Sequence, residues 1–379
     1  MKLPGKIKVG IDIRDLRVAK TGQKTVMEEL CNYLKKQADP DFEFVFLDSS
    51  LPIYSGKNKI RLMLEHILFQ YWKQVALPLK AFIKGCDIVF CGDYFAPLIH
   101  LRFKTLVTFH DAFFFEYPSH YNKLWLKIFH LFAVSAARKC RYVVTVSDFA
   151  RHSIHTHSGI PLEKIVTIYN SPKQLQQTLS DKPITPALQT LTNFPYILHV
   201  GVLEKRKNIP RLIDAFRLLC ENGNTTHHLV LVGKGNGKLY SDNTAQIQDA
   251  IEKSGVKDRI ICTGYLTDDE LSYVYQHANM YVFPSFNEGF GIPILEAFQY
   301  NLPVLVANNT ALPEVGGDAV LSFDPYNTHE IYQTIHNLIQ DPQLRESLII
   351  KGKERLALFS TEKTANAFKS LFKKTVADE

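Results

Sequence analysis

Short runs rich in β-branched and aromatic residues recur along the chain, separated by stretches whose apolar positions repeat every three or four residues. In the first half they fall at 7–12, 42–47, 88–90, 105–109 and 142–146. A polar, proline-containing stretch at 171–193 interrupts the rhythm, which restarts at 196–200, 228–232, 259–262, 280–283 and 304–306. Strands alternating with helices imply a parallel sheet covered on both faces. The pattern predicts an α/β protein of two Rossmann-like domains facing each other across a cleft, with ligands beyond the carboxyl ends of the strands. The expected limits are 1–180 for the first domain, 181–358 for the second and 359–379 for a terminal helix opened by Ser360 or Thr361.

A chain of 379 residues with 46% hydrophobic content can bury two cores of ordinary size. No run of about 18 apolar residues occurs, and Met1 to Lys6 carries no signal-peptide core, so a cytoplasmic location is expected. The six cysteines are scattered without metal-ligand spacing and read as reduced core residues. The net charge of +6 hides an asymmetry: residues 1–185 hold 26 Lys+Arg against 16 Asp+Glu, leaving 18 against 22 beyond them. A basic first half points to an anionic partner such as a phosphorylated acceptor or an anionic membrane face. Nucleic acid is disfavoured, because the basic residues are dispersed and no recognition motif accompanies them. The segments 61–73 and 123–130 are apolar, aromatic and basic, suiting either a peripheral membrane contact or core helices; the core reading is preferred.

The richest chemistry lies in Asn287-Glu288-Gly289-Phe290-Gly291-Ile292-Pro293, with Glu296 eight positions after Glu288. A strand, a glycine turn and a helix start present backbone N–H groups and a positive dipole end to an anion. Glu288 in the turn and Glu296 within the helix add acceptors for hydroxyls, which together suit a nucleotide sugar. After 196–200 comes Gly201-Val202-Leu203-Glu204-Lys205-Arg206-Lys207-Asn208, whose Arg206 and Lys207 could clamp a diphosphate. His110-Asp111 follows the strand at 105–109, at a sheet rim where ligands meet; Asp111 could equally cap the next turn. Gly22 opens a helix with Val26, Leu30 and Leu34 on one face. Gly233-Lys234-Gly235-Asn236-Gly237 lacks dinucleotide spacing, and no acidic residue ends the next strand, so NAD is a poor fit. Asp39-Pro40-Asp41 reads as a turn, which leaves no metal site in view.

The Glu288-to-Glu296 segment resembles the Glu-seven residues-Glu motif of retaining glycosyltransferases of family 4, which have the GT-B fold. That resemblance implies that Glu288 faces the donor sugar and Glu296 the nucleotide ribose, that Lys207 with Arg206 contacts the diphosphate, and that His110 reaches the sugar hydroxyls. It further implies that Gly22, Gly233, the Gly289-Phe290-Gly291 turn and the backbone around Tyr265 surround the donor. Family members often have Arg directly after Gly201, where this chain has Val202, and a second glycine beside Gly22, which it lacks. The implied activity is transfer of a hexose, mannose being suggested by 206–208 and 313–315, from a nucleoside-diphosphate sugar to a glycan or lipid-linked acceptor in surface polysaccharide synthesis. The implied mechanism retains the anomeric configuration and uses neither metal nor other cofactor. A nucleotide-sugar epimerase or hydrolase of the same fold and a non-catalytic nucleotide-sugar-binding protein are the alternatives.

Overall fold

A computed structural model describes residues 5–377 apart from 18–21, 37, 52, 55, 57, 174–183, 223, 224 and 238–240. The chain divides into two compact units, residues 1–171 with 360–379, and residues 172–359. Each is built on a six-stranded parallel sheet with helices on both faces.

The first unit orders its strands β2-β1-β3-β4-β5-β6: Phe42–Leu47, Ile7–Asp12, Ile88–Cys91, Lys104–Thr108, Tyr142–Thr145 and Ile165–Thr167. The second runs β12-β11-β10-β7-β8-β9: Val320–Phe323, Val304–Ala307, Met280–Phe283, Tyr196–Val200, His228–Val232 and Ile260–Gly264. Strands β3, β4, β5 and β10, β11 are almost wholly buried, as the continuous apolar runs that encode them require of a sheet covered on both sides. In each sheet the first strand has its sequence successor on one side and a later strand on the other. Loops leaving the carboxyl ends therefore diverge between β1 and β3 and between β7 and β10, opening a crevice at each reversal.

Three expectations need correction. The division falls between Ser171 and Pro172 rather than near residue 180. The second part of the linking stretch forms the turns Pro186–Gln189 and Thr190–Asn193, whose Leu188 and Leu191 are buried and pack within the second unit. Cys262 is exposed and Cys220 half-buried, so only Cys31, Cys86, Cys91 and Cys140 are core thiols. The segment 61–73 is not a core helix throughout: Met63, Leu64, Ile67 and Tyr71 are exposed, while Trp72 and Lys73 are buried. The segment 123–130 does send Phe129 fully into the core against Trp125 and Phe114, though Leu124 is exposed.

The helix Thr361–Ala377 belongs to the first unit. Ser360 caps it, its hydroxyl accepting from the Lys363 amide at 3.2 Å. Phe368 and Phe372 pack edge-on or tilted against Phe90 and Phe42 from β3 and β2, joining Leu30 and Leu34 in one core. Phe372 is fully buried. Phe372→Ala should therefore lower the stability of the first unit by about 3–5 kcal/mol. The check is urea unfolding in which the first unit's transition moves to lower denaturant while that of the second keeps its midpoint.

Candidate functional site

The second unit places a cluster of paired charges at the reversal between β7 and β10. The chain leaves β7 through Gly201 and reaches a short 3-10 turn, Lys205–Lys207, ended by Asn208 in the left-handed region at φ 57°. Asparagine tolerates that conformation because its short amide bonds nearby backbone. Here Asn208 Nδ2 donates to the carbonyls of Pro284 at 3.0 Å and Pro325 at 2.8 Å. The reversal turns Lys207 inward and launches the helix Ile209–Glu221, with Pro210 in its first turn. Across the crevice, the Phe286 amide donates to the Arg206 carbonyl at 2.8 Å, fixing the loop after β10 to the loop after β7.

Glu288 sits between two cations. Its Oε1 lies 2.7 Å from Lys207 Nζ and 2.7 Å from Arg206 Nη1. Arg206 Nε donates to Glu204 Oε2 at 2.9 Å, and Arg206 Nη1 also to the Asn287 carbonyl at 3.2 Å. Lys207 Nζ stands 4.7 Å from the centre of the Phe283 ring. Lys207 and Glu288 are both buried. Burial alone would push the Glu288 carboxyl up, but Arg206 and Lys207 outweigh it and hold the group down at about 2. Burial lowers Lys207 from its ordinary value, with Glu288 opposing the shift. Two acids and two bases make the cluster electrically balanced.

The Glu288 loop is braced from behind. Thr310, at φ 57°, accepts through its hydroxyl from the Glu288 amide at 3.3 Å, and Asn309 Nδ2 donates to the Phe286 carbonyl at 2.9 Å. Gly291 takes φ 117° and caps the helix Ile292–Gln299. Phe290 is buried against Phe359. Pro293 has no amide proton and the Ile294 amide is used on the Gly291 carbonyl at 3.0 Å, so any anion contact falls to the turn before the helix. Glu296 is buried on that helix, and its Oε2 accepts from the Tyr275 hydroxyl at 3.0 Å.

Other predicted residues lie apart from this knot. Gly233, at φ 144°, is required by backbone: a Cβ there would meet the Gly201 carbonyl oxygen at 1.8 Å. Tyr265 is exposed in the turn after β9. The next helix, Asp268–His277, is capped by Thr267 in a capping box with Glu270. In the first unit, His110 is buried at the end of β4 and its Nε2 donates to the Gly92 carbonyl at 3.0 Å. Burial lowers its pKa. Asp111 caps the turn that follows, accepting from the Phe113 amide at 3.0 Å and the Tyr94 hydroxyl at 2.9 Å. Gly22 starts the helix Gly22–Lys36, and its neighbours 18–21 lie outside the described residues. Asp39 and Asp41 form the expected turn, bonded to the amides of Asp41 and Phe42 and paired with Lys369 and Lys373.

Sequence reasoning missed the parts played by Glu204, Asn208 and His199. Glu204 sits two residues before Arg206, a spacing that does not pair within a helix, but Glu204 is extended backbone ahead of the 3-10 turn. An Asn closing a basic run before a proline was a readable left-handed signal. His199, fully buried in β7, donates from Nδ1 to the Val282 carbonyl at 3.0 Å, and burial lowers it to about 4. Its Nε2 has no hydrogen-bond partner among the described residues, and a Cβ on Gly201 would touch both it and Lys207. Nothing in the sequence distinguishes it from other apolar-strand positions.

The ion cluster sets a pH signature. The folded carboxyl of Glu288 titrates at about 2 against an ordinary 4.5, so its stabilisation is complete above 4.5 and fades as pH falls toward 2. Glu288→Gln should cost on the order of 3 kcal/mol near neutrality. Denaturant midpoints of the two proteins, followed from pH 7 downward, should converge in acid; a constant gap would contradict the pairing.

Comparison with known proteins agrees with this geometry. The sequence matches the family described as Glycosyltransferase Family 4 over residues 21–171 and that described as Glycosyl transferases group 1 over residues 182–355. It is 33% identical over 291 residues to the O-antigen chain mannosyltransferase B of Escherichia coli, covering 75% of each chain. It is 27% identical over 291 residues to the O-antigen chain mannosyltransferase RfbU of Salmonella typhimurium, covering 76% of this chain and 74% of the relative. Among solved structures, sucrose-phosphate synthase of Thermosynechococcus elongatus superposes with a TM-score of 0.72 at 17% identity, covering 99% of this chain and all of that one. HepE of Anabaena, solved with UDP and glucose, gives 0.69 at 16% identity, with coverage of 97% and 100%.

Proposed function

The chain belongs to glycosyltransferase family 4 and has the GT-B fold, and on that premise we propose that it moves a mannose-type hexose from a nucleoside diphosphate to a surface glycan, keeping the anomeric configuration. The observation that carries this reading is the buried contact of Glu288 with Lys207 and Arg206 at the strand reversal of the second unit. Mannose and the glycan acceptor are suggested by the two enterobacterial relatives, both O-antigen mannosyltransferases by name. A nucleotide-sugar donor is in keeping with HepE, which was solved holding UDP and glucose.

The reaction breaks the bond from the sugar C1 to the diphosphate oxygen and forms one from C1 to the acceptor oxygen on the same face. The acceptor's proton passes to a donor phosphate oxygen. Negative charge grows on the departing diphosphate, where preorganised cations and amides stabilise the transition state most. Lys207 and Arg206 fill that role, with the Gly289–Gly291 turn completing the cradle. Because the cluster is balanced, the diphosphate binds by exchange: a phosphate oxygen takes over a cation and Glu288 turns its released lone pairs to a sugar hydroxyl. Glu296 and Tyr275 suit the ribose, and Gly233 and Tyr265 border the nucleotide. Within the first unit, His110, oriented by Gly92, is the candidate for contact with sugar hydroxyls, and Gly22 for close approach of a ligand to its helix start. With the diphosphate met by Lys207 and Arg206, the reaction needs no divalent cation. The acceptor is a glycan on a lipid, reached from the membrane surface.

A panel of nucleoside-diphosphate hexoses, each supplied with extracted lipid-linked glycan, tests the proposal. Transfer should occur with one donor and yield by NMR the donor's own anomeric configuration. Glu288→Gln and Lys207→Gln should each lower kcat/KM by about a hundredfold or more, and added EDTA should leave turnover unchanged. An inverted product, or near-normal turnover in both variants, would overturn the mechanism. Rapid donor consumption without acceptor would turn the assignment to hydrolysis.

A further inference from the structure

Residues 59–83 wind continuously as Lys59–Tyr71, a wide π turn at Trp72–Ala76, and Leu77–Ile83. The π turn falls where Pro78 removes the amide that a regular turn would use, and the Leu77 amide reaches back to the Trp72 carbonyl instead. This extra residue keeps one stripe facing outward along the whole length, roughly 37 Å at 1.5 Å per residue.

Two ionised groups of this helix point inward: Glu65 meets buried Arg14 at 2.5 Å, and fully buried Lys73 pairs with Asp12 at 2.8 Å and Asp15 at 2.6 Å. Gln74 also turns in, accepting from the Leu98 amide and donating to the Ala96 carbonyl. The outward stripe carries Ile60, Met63, Ile67, Tyr71, Leu79 and Ile83, with Ile60 68%, Ile67 57% and Ile83 78% exposed. Ile99 and Leu101 extend it, and Arg102 reaches over the Phe82 ring at 5.8 Å. Water alone does not favour such an arrangement, and a continuous exposed apolar patch of this kind marks an interaction surface.

The charges beside the stripe choose its occupant. Arg61, Lys80, Lys84 and Arg102 are exposed there, and the one acid of the helix, Glu65, is spent on Arg14. A second copy docking face to face would set these cations against their own counterparts. An anionic bilayer surface satisfies both apolar stripe and basic rim. No helix among the described residues is long and apolar enough to cross a membrane, which leaves contact in the plane of the surface.

We propose that residues 60–83, with 99–102, form a docking face that lies on an anionic membrane with the apolar stripe sunk between the headgroups. The inference deepens the reading of a lipid-borne acceptor, but its test measures binding without turnover, so either can fail alone. The full chain is sedimented with vesicles of phosphatidylcholine and of phosphatidylcholine containing phosphatidylglycerol. It should pellet with the second, weakly with the first, and be released by salt. Ile67→Ser with Ile83→Ser should reduce partitioning about tenfold per position; Arg61→Gln with Lys84→Gln about fivefold per cation, on anionic vesicles alone. Thermal stabilisation by a nucleoside diphosphate, equal in all variants, shows that each is folded. Wild-type partitioning in the isoleucine variant, failure of the wild type to pellet, or indifference to lipid charge would overturn the proposal. A solution dimer dissolved by Ile67→Ser and Ile83→Ser would assign the face to a second copy instead.

Discussion

An ammonium group taken out of water needs a counter-charge within reach, and in the second unit that requirement joins two loops 81 residues apart through Lys207 and Glu288. Much of the local architecture follows from it. Lys207 can turn inward because Asn208 accepts a left-handed backbone and bonds the carbonyls of Pro284 and Pro325. Glu288 is presented to it because Thr310 and Asn309 support the far side of its loop. The sheet supplies the place: β7 has β10 on one side and β8 on the other, so the two loops part at the carboxyl ends and leave room for a ligand between them.

The first unit repeats the device with different stoichiometry. At the end of β1, Lys73 is held by Asp12 and Asp15, and the Trp72 indole adds a hydrogen bond to Asp12 at 3.1 Å. One cation with two carboxylates and an indole is over-determined, and it serves to lock a helix whose outer side is apolar. In the second unit the ratio is reversed: one oxygen of Glu288 is shared by two cations, so loss of either contact leaves that acid paired. The same pairing rule thus yields an over-tied cation in one sheet and a doubly paired carboxylate in the other.

Most of the fold was legible because parallel strands buried on both faces read as unbroken apolar runs, and ten of these announce themselves. The two that did not, β6 and β12, are edge strands of three and four residues with exposed or half-exposed positions, too short and too mixed to stand out. Glu288, Lys207 and Arg206 were legible through charge placed beside glycine at strand ends. Their mutual pairing was not, because sequence shows which residues flank a crevice and not which of them neutralise each other. The segment 61–73 shows the complementary limit. Helical periodicity reveals that one side is apolar, but whether that side finds a partner depends on what the rest of the chain places against it, and here the polar side won the interior through Arg14, Asp12 and Asp15.

The helix Thr361–Ala377 closes the first unit's core from the far end of the sequence, whereas the second unit is one unbroken stretch from Pro172 to Phe359. During synthesis the first sheet therefore waits for a helix encoded after the whole of the second unit. Phe90 and Phe42 keep part of their surface open until Phe368 and Phe372 have been made.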